Sequence, residues 1–511
     1  MNSDICLILE GTYPYVSGGV SGWTHELIKE QPDKKFSLFC LVPPGSLKKL
    51  KHKYEVPPNV VEIVNVELQH LPLYKKSISK LERRRLMKRL HEPLMKLQTN
   101  ASLEDLEHLL GLLKASGKKL GRETLTDSKE AFGLLCDMYE EALPTSSFLD
   151  YFWSWRALLG GLFSVLTCDY PQAACYHSLC TGYAGLFMAR VSLETKRPTL
   201  LAEHGIYTNE RRIEIGTAEW LDDQQSLNLN VDLRATRKSL RDFWIDSFIG
   251  YSRLAYQVAE WSITLYEGNK ELQLDDGADP KYLKVIPNGI DFETYSKIPR
   301  KSEGRPTVGF IGRVVPIKDL KTLIRACGFL RESVPDVQVW IMGPTEEDAE
   351  YYEECLDLVQ HGGLEEVVRF LGKVNIKEYL GQIDVLVLTS LSEAQPLVIL
   401  EAGGVGVPSV ATDVGSCSEL IFGSPTEDPP IGPGGAICPL ASPTAVAEAL
   451  AKLLNDRKVY ERCSRAIKER VDRYYRKELQ HQAYREMYEQ LIAQPKVDTL
   501  ARMGARMPVE D

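Results

Sequence analysis

The residues best suited to chemistry fall in three short stretches. In Gly309-Phe310-Ile311-Gly312-Arg313-Val314-Val315-Pro316-Ile317-Lys318-Asp319, an apolar run ends in glycine and is followed by a guanidinium and, five residues on, an ammonium. Arg313 could fork onto two oxygens of a diphosphate while Lys318 adds a compact charge. A solvated surface loop is the plainer reading, but ligands of open α/β sheets bind where strands end, which favours a site. In Ser392-Glu393-Ala394-Gln395-Pro396-Leu397-Val398-Ile399-Leu400-Glu401, two carboxylates eight residues apart frame the start of a helix. A carboxylate only accepts hydrogen bonds, which suits ribose and hexose hydroxyls. The alternative is that Glu401 caps or pairs locally and Glu393 is solvated. The third stretch, Glu10-Gly11-Thr12-Tyr13-Pro14-Tyr15-Val16-Ser17-Gly18-Gly19-Val20, leads from a strand into a helix expected over about Val20 to Lys29. Gly18 and Gly19 would let backbone N–H groups approach a phosphate, with the helix N-terminus adding partial positive charge. The same glycines also serve as ordinary turn punctuation. They do not form Gly-x-Gly-x-x-Gly, which argues against nicotinamide or flavin chemistry.

These stretches need parallel α/β architecture to hold them, and the sequence has its rhythm of short apolar runs followed by amphipathic helices. Ile5–Glu10, Phe36–Val42, Thr199–Ala202 and Ser247–Tyr251 read as strands of a first half. Thr307–Ile311, Val337–Met342, Val368–Leu371, Val385–Leu388 and Pro408–Ala411 read as strands of a second. Helices are expected between the latter at Leu320–Glu332, Glu347–His361, Ile376–Gln382 and Leu397–Gly404, with another at Pro443–Asn455. At 511 residues, two domains are the natural division. The polar, proline-flanked stretch Ile298–Pro306 reads as a linker and puts the boundary near 297, giving domains at 1–297 and 298–478. Residues 479–511 read as a helix and tail crossing back to the first domain, with disorder expected only after Gln494. Charged, Leu-rich text over 68–165 predicts a helical insertion in the first domain.

A net charge of −10 argues against general nucleic-acid binding. Yet Lys75, Lys76, Lys80, Arg83, Arg84, Arg85, Lys88 and Arg89, against Glu82 alone, give residues 75–91 a charge of +7 and leave −17 on the rest. A solvated helix face would explain this. So would a surface that docks an anionic partner, since Leu86, Leu90, Leu94 and Leu97 at helical spacing can anchor the segment. The eleven cysteines lack Cys-x-x-Cys pairs and read as reduced core residues of a cytoplasmic protein. The start lacks a basic signal region, and the longest apolar stretch, Ala157–Cys168, falls below the ~20 residues of a spanning helix.

Arg313, Lys318, Glu393 and Glu401, together with Pro287-Asn288-Gly289-Ile290-Asp291, resemble glycosyltransferase family 4. That resemblance implies the GT-B fold: two facing Rossmann-like α/β domains with parallel sheets. Glu10–Trp23, Ala202-Glu203-His204-Gly205-Ile206-Tyr207 and the insertion look most like family members that build Pel exopolysaccharide. By the resemblance, Arg313 and Lys318 hold the diphosphate of a UDP-sugar, Glu401 the ribose and Glu393 the sugar. Gly18 and Gly19 meet phosphates or sugar, while Val374, Gln395, Pro396 and Leu397 complete the donor contacts. His204 would touch the sugar and the reacting centre; read without the family, it is equally a satisfied core histidine. Ala394-Gln395-Pro396 departs from the Gly-rich segment usual in the family.

The reaction implied is retaining hexosyl transfer onto a growing glycan by front-face attack, without a protein nucleophile. No Asp-x-Asp motif is present, so no metal cofactor is expected, and Arg313, Lys318 and helix dipoles would stabilise the leaving group. Partners would be the donor, the glycan acceptor and, through 75–91, inner-membrane synthesis and export subunits. A nucleotide-sugar epimerase and a non-catalytic sensor of the same architecture are the alternatives.

Overall fold

The computed structural model describes residues 3–74, 78–115, 117, 120–217, 239–301 and 304–506. The chain forms two compact units. Met1–Thr264, Lys270–Lys284 and Arg485–Asp511 make the first, and Leu265–Asn269 and Val285–Tyr484 the second.

The first unit is built on a seven-stranded sheet of β1 (Ser3–Glu10), β2 (Phe36–Val42), β3 (Val60–Glu67), β4 (Ala173–Ser178), β5 (Thr199–Ala202), β6 (Trp261–Thr264) and β7 (Leu283–Val285), in the order β3-β2-β1-β4-β5-β6-β7. β1 lies parallel to both β2 and β4, so Ile5, Leu7 and Leu9 are buried along with Cys6 and Ile8 on the other face. Burial on both faces explains the continuous apolar run.

The insertion lies between β3 and β4 and, among the described residues, comprises five helices: Lys80–Thr99, Leu103–Lys114, Arg122–Leu125, Lys129–Ala142 and Phe148–Thr167. It is no separate domain, because Leu90, Leu94, Leu97, Leu106, Trp155 and Phe163 share one core with Ile8 and Phe39. The Lys80–Thr99 helix starts at a reciprocal cap in which Ser79 and Glu82 satisfy each other's backbone N–H.

Ser247–Tyr251, read as a strand from sequence, lies inside the helix Leu240–Val258. Ser239 and Asp242 cap that helix reciprocally, and Leu240, Phe243, Ser247, Tyr251 and Leu254 line its buried face. Apolar runs this short do not distinguish the two structures. Gly250 is needed there, since a Cβ would sit 2.3 Å from the Leu97 carbonyl oxygen of the insertion.

The second unit carries β8 (Thr307–Ile311), β9 (Gln338–Met342), β10 (Val368–Gly372), β11 (Val385–Leu388), β12 (Ser409–Thr412) and β13 (Gly435–Cys438), in the order β10-β9-β8-β11-β12-β13, with every ladder parallel. The change of unit falls at Val285, not after 297. Ile290, Phe292 and Tyr295 are buried in the second core, and the start of the stretch read as a linker is tied down, with Ile298 N donating to the Tyr295 carbonyl and Lys301 N to the Gly381 carbonyl. The chain after Gln494 is ordered where described. Helix Thr499–Arg506 is fixed by Thr499 against Ser192, at 3.1 Å, and by an ion pair between Arg502 and Glu260.

In both sheets the strand order reverses beside the first strand, between β1 and β4 and between β8 and β11. The carboxyl ends at these reversals are where doubly wound sheets leave a crevice for ligands.

Candidate functional site

At the β8/β11 reversal of the second unit, the loop after β8 carries Arg313 and Lys318. Gly343 makes this possible: at φ +158° a Cβ would meet the Gly312 carbonyl oxygen at 1.8 Å, so only glycine lets the ends of β8 and β9 close up. Lys318 ends a short turn, Pro316–Lys318, and buried Thr389 at the end of β11 donates to the carbonyls of Lys318 and Asp319 at 3.1 and 3.0 Å. Leu391 N bonds the Ile317 carbonyl at 2.8 Å. The two loops therefore form one surface. Lys318 Nζ lies 2.5 Å from Glu393 Oε1, which also accepts from Ser390 Oγ at 2.6 Å. Gly415, at φ +54°, and Ser416 N hold the Glu393–Ala394 backbone from below; a Cβ at 415 would sit 2.1 Å from the Glu393 carbonyl oxygen.

The remaining donor candidates take separate places. Arg313 is half-exposed and ion-paired with Glu347. Glu401 sits on the helix Leu397–Val405 and accepts from Tyr295 Oη at 2.7 Å; burial raises its carboxyl above the ordinary range, against the opposing pull of Tyr295 and Lys377. Gln395 accepts from Asn288 N through Oε1 at 2.7 Å, fixing the Pro287-Asn288-Gly289 turn, and its Nε2 is buried without a partner among the described residues. Pro396 occupies the N-cap of the Leu397–Val405 helix, and Leu397 is partly exposed in its first turn. Val374 packs on the core in the loop after β10.

In the first unit, the helix Gly19–Lys29 starts without a side-chain cap, and a Cβ at Gly18 or Gly19 would touch nothing. Gly18 has an extended φ of 167°, so neither backbone strain nor packing demands this glycine pair. His204 follows β5, is buried edge-on against Trp23 with ring centroids 4.5 Å apart, and leaves Nε2 without a hydrogen-bond partner among the described residues. Burial depresses its pKa to about 4, so the ring is neutral at physiological pH.

Behind His204 stands Glu203, fully buried and pushed up to about 7 by burial. It accepts from Tyr256 at 2.5 Å, Gln273 at 2.9 Å and Thr181 at 3.3 Å. At the β1/β4 reversal Glu10 accepts from Ala184 N at 3.0 Å and from Tyr207 Oη at 2.9 Å, joining the end of β1 to the first turns of the helices Tyr183–Thr195 and Tyr207–Thr217.

Sequence reasoning missed Tyr295, Lys377, Ser390, Trp23 and Glu203 as contributors. Only Glu203 left a signal, as a carboxylate beside a candidate histidine. Of the basic stretch, Lys75 and Lys76 lie outside the described residues, Arg83 pairs with Glu130 at 3.3 Å, and Lys80, Arg84, Arg85, Lys88 and Arg89 are exposed. Among the described residues no helix is long and apolar enough to cross a membrane.

Comparison with known proteins fits this division. Residues 291–470 match Glycosyl transferases group 1, and residues 3–281 match a domain of unknown function, DUF3492. A D-inositol 3-phosphate glycosyltransferase of Kineococcus radiotolerans is 29% identical over 202 residues, covering 35% of this chain and 45% of that protein. An N-acetyl-alpha-D-glucosaminyl L-malate synthase of Bacillus anthracis is 28% identical over 225 residues, covering 42% and 56%. The chain thus spans about half the length of these curated relatives. In structure it is similar to Anabaena HepE in complex with UDP, with a TM-score of 0.56 at 14% identity over 95% of this chain and all of that one. It is similar also to sucrose-phosphate synthase of Thermosynechococcus elongatus, with a TM-score of 0.56 at 16% identity over 96% and 99%. The fold is GT-B, and the chain belongs to the family described as DUF3492, followed by a region similar to Glycosyl transferases group 1.

Proposed function

We propose that this protein is a retaining glycosyltransferase that moves a hexose from a UDP-sugar onto a growing exopolysaccharide of the Pel type. The observation that carries the reading is the pairing of Lys318 with Glu393 where the second sheet reverses, a cation and a carboxylate set side by side at the ligand-binding end of the strands. Lys318 and Arg313 take the diphosphate oxygens, and Glu393 orients sugar hydroxyls. Glu401, anchored by Tyr295, accepts from the ribose. In the first unit, neutral His204 accepts a hydrogen bond from a sugar hydroxyl, and the open Gly18-Gly19 turn offers backbone N–H groups to an anionic or sugar oxygen.

The bond from the anomeric carbon to the diphosphate breaks as the acceptor oxygen bonds to the same face. The acceptor's proton passes to the departing phosphate oxygen, so no protein nucleophile is consumed. Side-chain cations and backbone dipoles stabilise the leaving group, and a metal is not required. Complexes of HepE with UDP and with UDP-glucose, and the glycosyltransferase names of the relatives, support a nucleotide-sugar donor.

The test is product analysis with UDP-glucose and the two UDP-N-acetylhexosamines, with and without an acceptor glycan, before and after exhaustive chelation. An elongated glycan with retained anomeric configuration, formed equally after chelation, is expected. An epimerised donor without acceptor, or activity that returns only with magnesium or manganese, would replace the reading or its metal-free mechanism.

A further inference from the structure

A cavity of about 680 Å3 opens at the opposite, amino-terminal end of the second sheet. Thr307 and Gln338 are the first residues of β8 and β9, and Asp384 immediately precedes β11; all three line it. It is therefore separated by the length of the strands from Arg313, Lys318 and Glu393.

Among the described residues, five cationic side chains line this cavity against two carboxylates, in a protein of net charge −10. Arg300 donates to the carbonyls of Leu380 and Ile383 and to Tyr460 Oη, the last at 2.5 Å. Arg305 donates to the carbonyls of Asp336 and Val337 at 3.0 and 3.3 Å, and Arg465 to that of Glu461 at 3.3 Å. Several bonds hold the guanidinium groups of Arg300 and Arg305 and one tethers that of Arg465, and none of them neutralises the charge. None of the three has a carboxylate partner among the described residues. Of the two carboxylates, Glu461 pairs at 2.7 Å with Arg457 of the same wall, which takes Arg457 out of the excess, and Asp384 accepts from Thr307 N at 2.8 Å. Like charges held around one concavity repel, and an anion placed between them relieves that repulsion. The wall also includes half-buried Trp340, braced edge-on by Tyr379 at 5.9 Å.

Guanidinium forks match phosphate oxygens, an indole face stacks on a planar ring, and the volume falls in the range of small-molecule sites. We infer that this cavity is a second ligand site, which binds a nucleoside phosphate with its base against Trp340 and its phosphates on Arg305 and Arg465. Such a ligand would tie Arg300 and Arg305 to the helix Arg457–Tyr474, which contributes Arg457, Tyr460 and Arg465.

The experiment is calorimetric titration of the full chain, held at saturating UDP, with ATP, GTP, glucose 6-phosphate and inorganic phosphate. One of the two purine nucleotides is expected to bind. Arg305→Gln with Arg465→Gln should weaken it about tenfold or more, the scale of lost charge-assisted bonds, and leave UDP affinity unchanged. Trp340→Phe should weaken the nucleotide without altering UDP. If the double variant melts early, Arg465→Gln alone, exposed on its helix, gives the same comparison.

Failure of both nucleotides to bind at millimolar concentration overturns the inference, as does binding that UDP abolishes. Inorganic phosphate or glucose 6-phosphate binding as tightly overturns the nucleotide assignment. Should UDP itself not bind, the donor-site reading fails, while nucleotide binding that responds to Arg305 and Arg465 still decides this site.

Discussion

Lys318 and Glu393, 75 positions apart in sequence, form an ion pair in which the side chains are only 17% and 12% exposed. Lys318 is therefore not a solvated loop lysine, and its removal strands a desolvated carboxylate. Lys318→Ala should lower stability by about 1–3 kcal/mol, and adding Glu393→Ala should recover part of that loss. Urea unfolding of both single variants and the double variant measures the coupling. Additive losses would mean that the pair contributes nothing as a pair.

Arg313 behaves differently because its ion pair with Glu347 is half in solvent. Arg313→Ala should leave stability within about 0.5 kcal/mol of the parent. Its affinity for UDP should fall about tenfold through loss of a charge-assisted fork. Unchanged affinity by calorimetry would remove Arg313 from the diphosphate site.

The buried pair Glu203 and His204 gives opposite pH dependences. Glu203 is raised from 4.5 to about 7, so its contribution to stability is full below pH 4.5 and is lost as pH rises through about 7. His204 is lowered from 6.5 to about 4, so its contribution is full above pH 6.5 and is lost as pH falls through about 4. Glu203→Gln deletes only the first. Relative to the parent, that variant should gain stability between pH 4.5 and 7, by at most about 3 kcal/mol. Unfolding midpoints of both proteins at pH 5 and 7.5 supply the comparison, and a constant difference would show that Glu203 titrates normally.

Arg84, Arg85, Lys88 and Arg89 lie exposed on the Lys80–Thr99 helix, whose other face buries Met87, Leu90 and Leu94. If this face meets an anionic membrane, changing these four to Gln should abolish cosedimentation with anionic liposomes at low salt, each charge contributing up to about 1 kcal/mol. Arg83 is left intact because it pairs with Glu130. Equal recovery of parent and variant would reduce the patch to a solvated face.

The second unit was legible because its strands are short apolar runs, most with a glycine just beyond, and Arg313, Lys318 and Glu393 follow strand ends closely. Pro443–Asn455 was read with the bounds observed, and Leu320–Glu332 fell one residue short. The first unit was harder. β4 carries Tyr176, His177 and Ser178 directly after the insertion, so polar letters hide a fully buried strand. The contacts that decide side-chain roles were hidden for another reason. Tyr295 reaches Glu401 across 106 positions and Glu203 gathers Tyr256 and Gln273 from distant helices, and no local pattern encodes such pairings.

The first unit is not a continuous stretch of chain. Arg485 bonds Asp33 through both terminal nitrogens, and Tyr488 Oη meets His177 Nδ1 at 2.7 Å inside the core beside β1. Residues 485–511 leave the ribosome only after the whole second unit has been made. The seven-stranded sheet must therefore wait with this part of its core uncovered while some two hundred further residues emerge, and a gene cut at the change of unit would deliver a first unit lacking its last buried tyrosine.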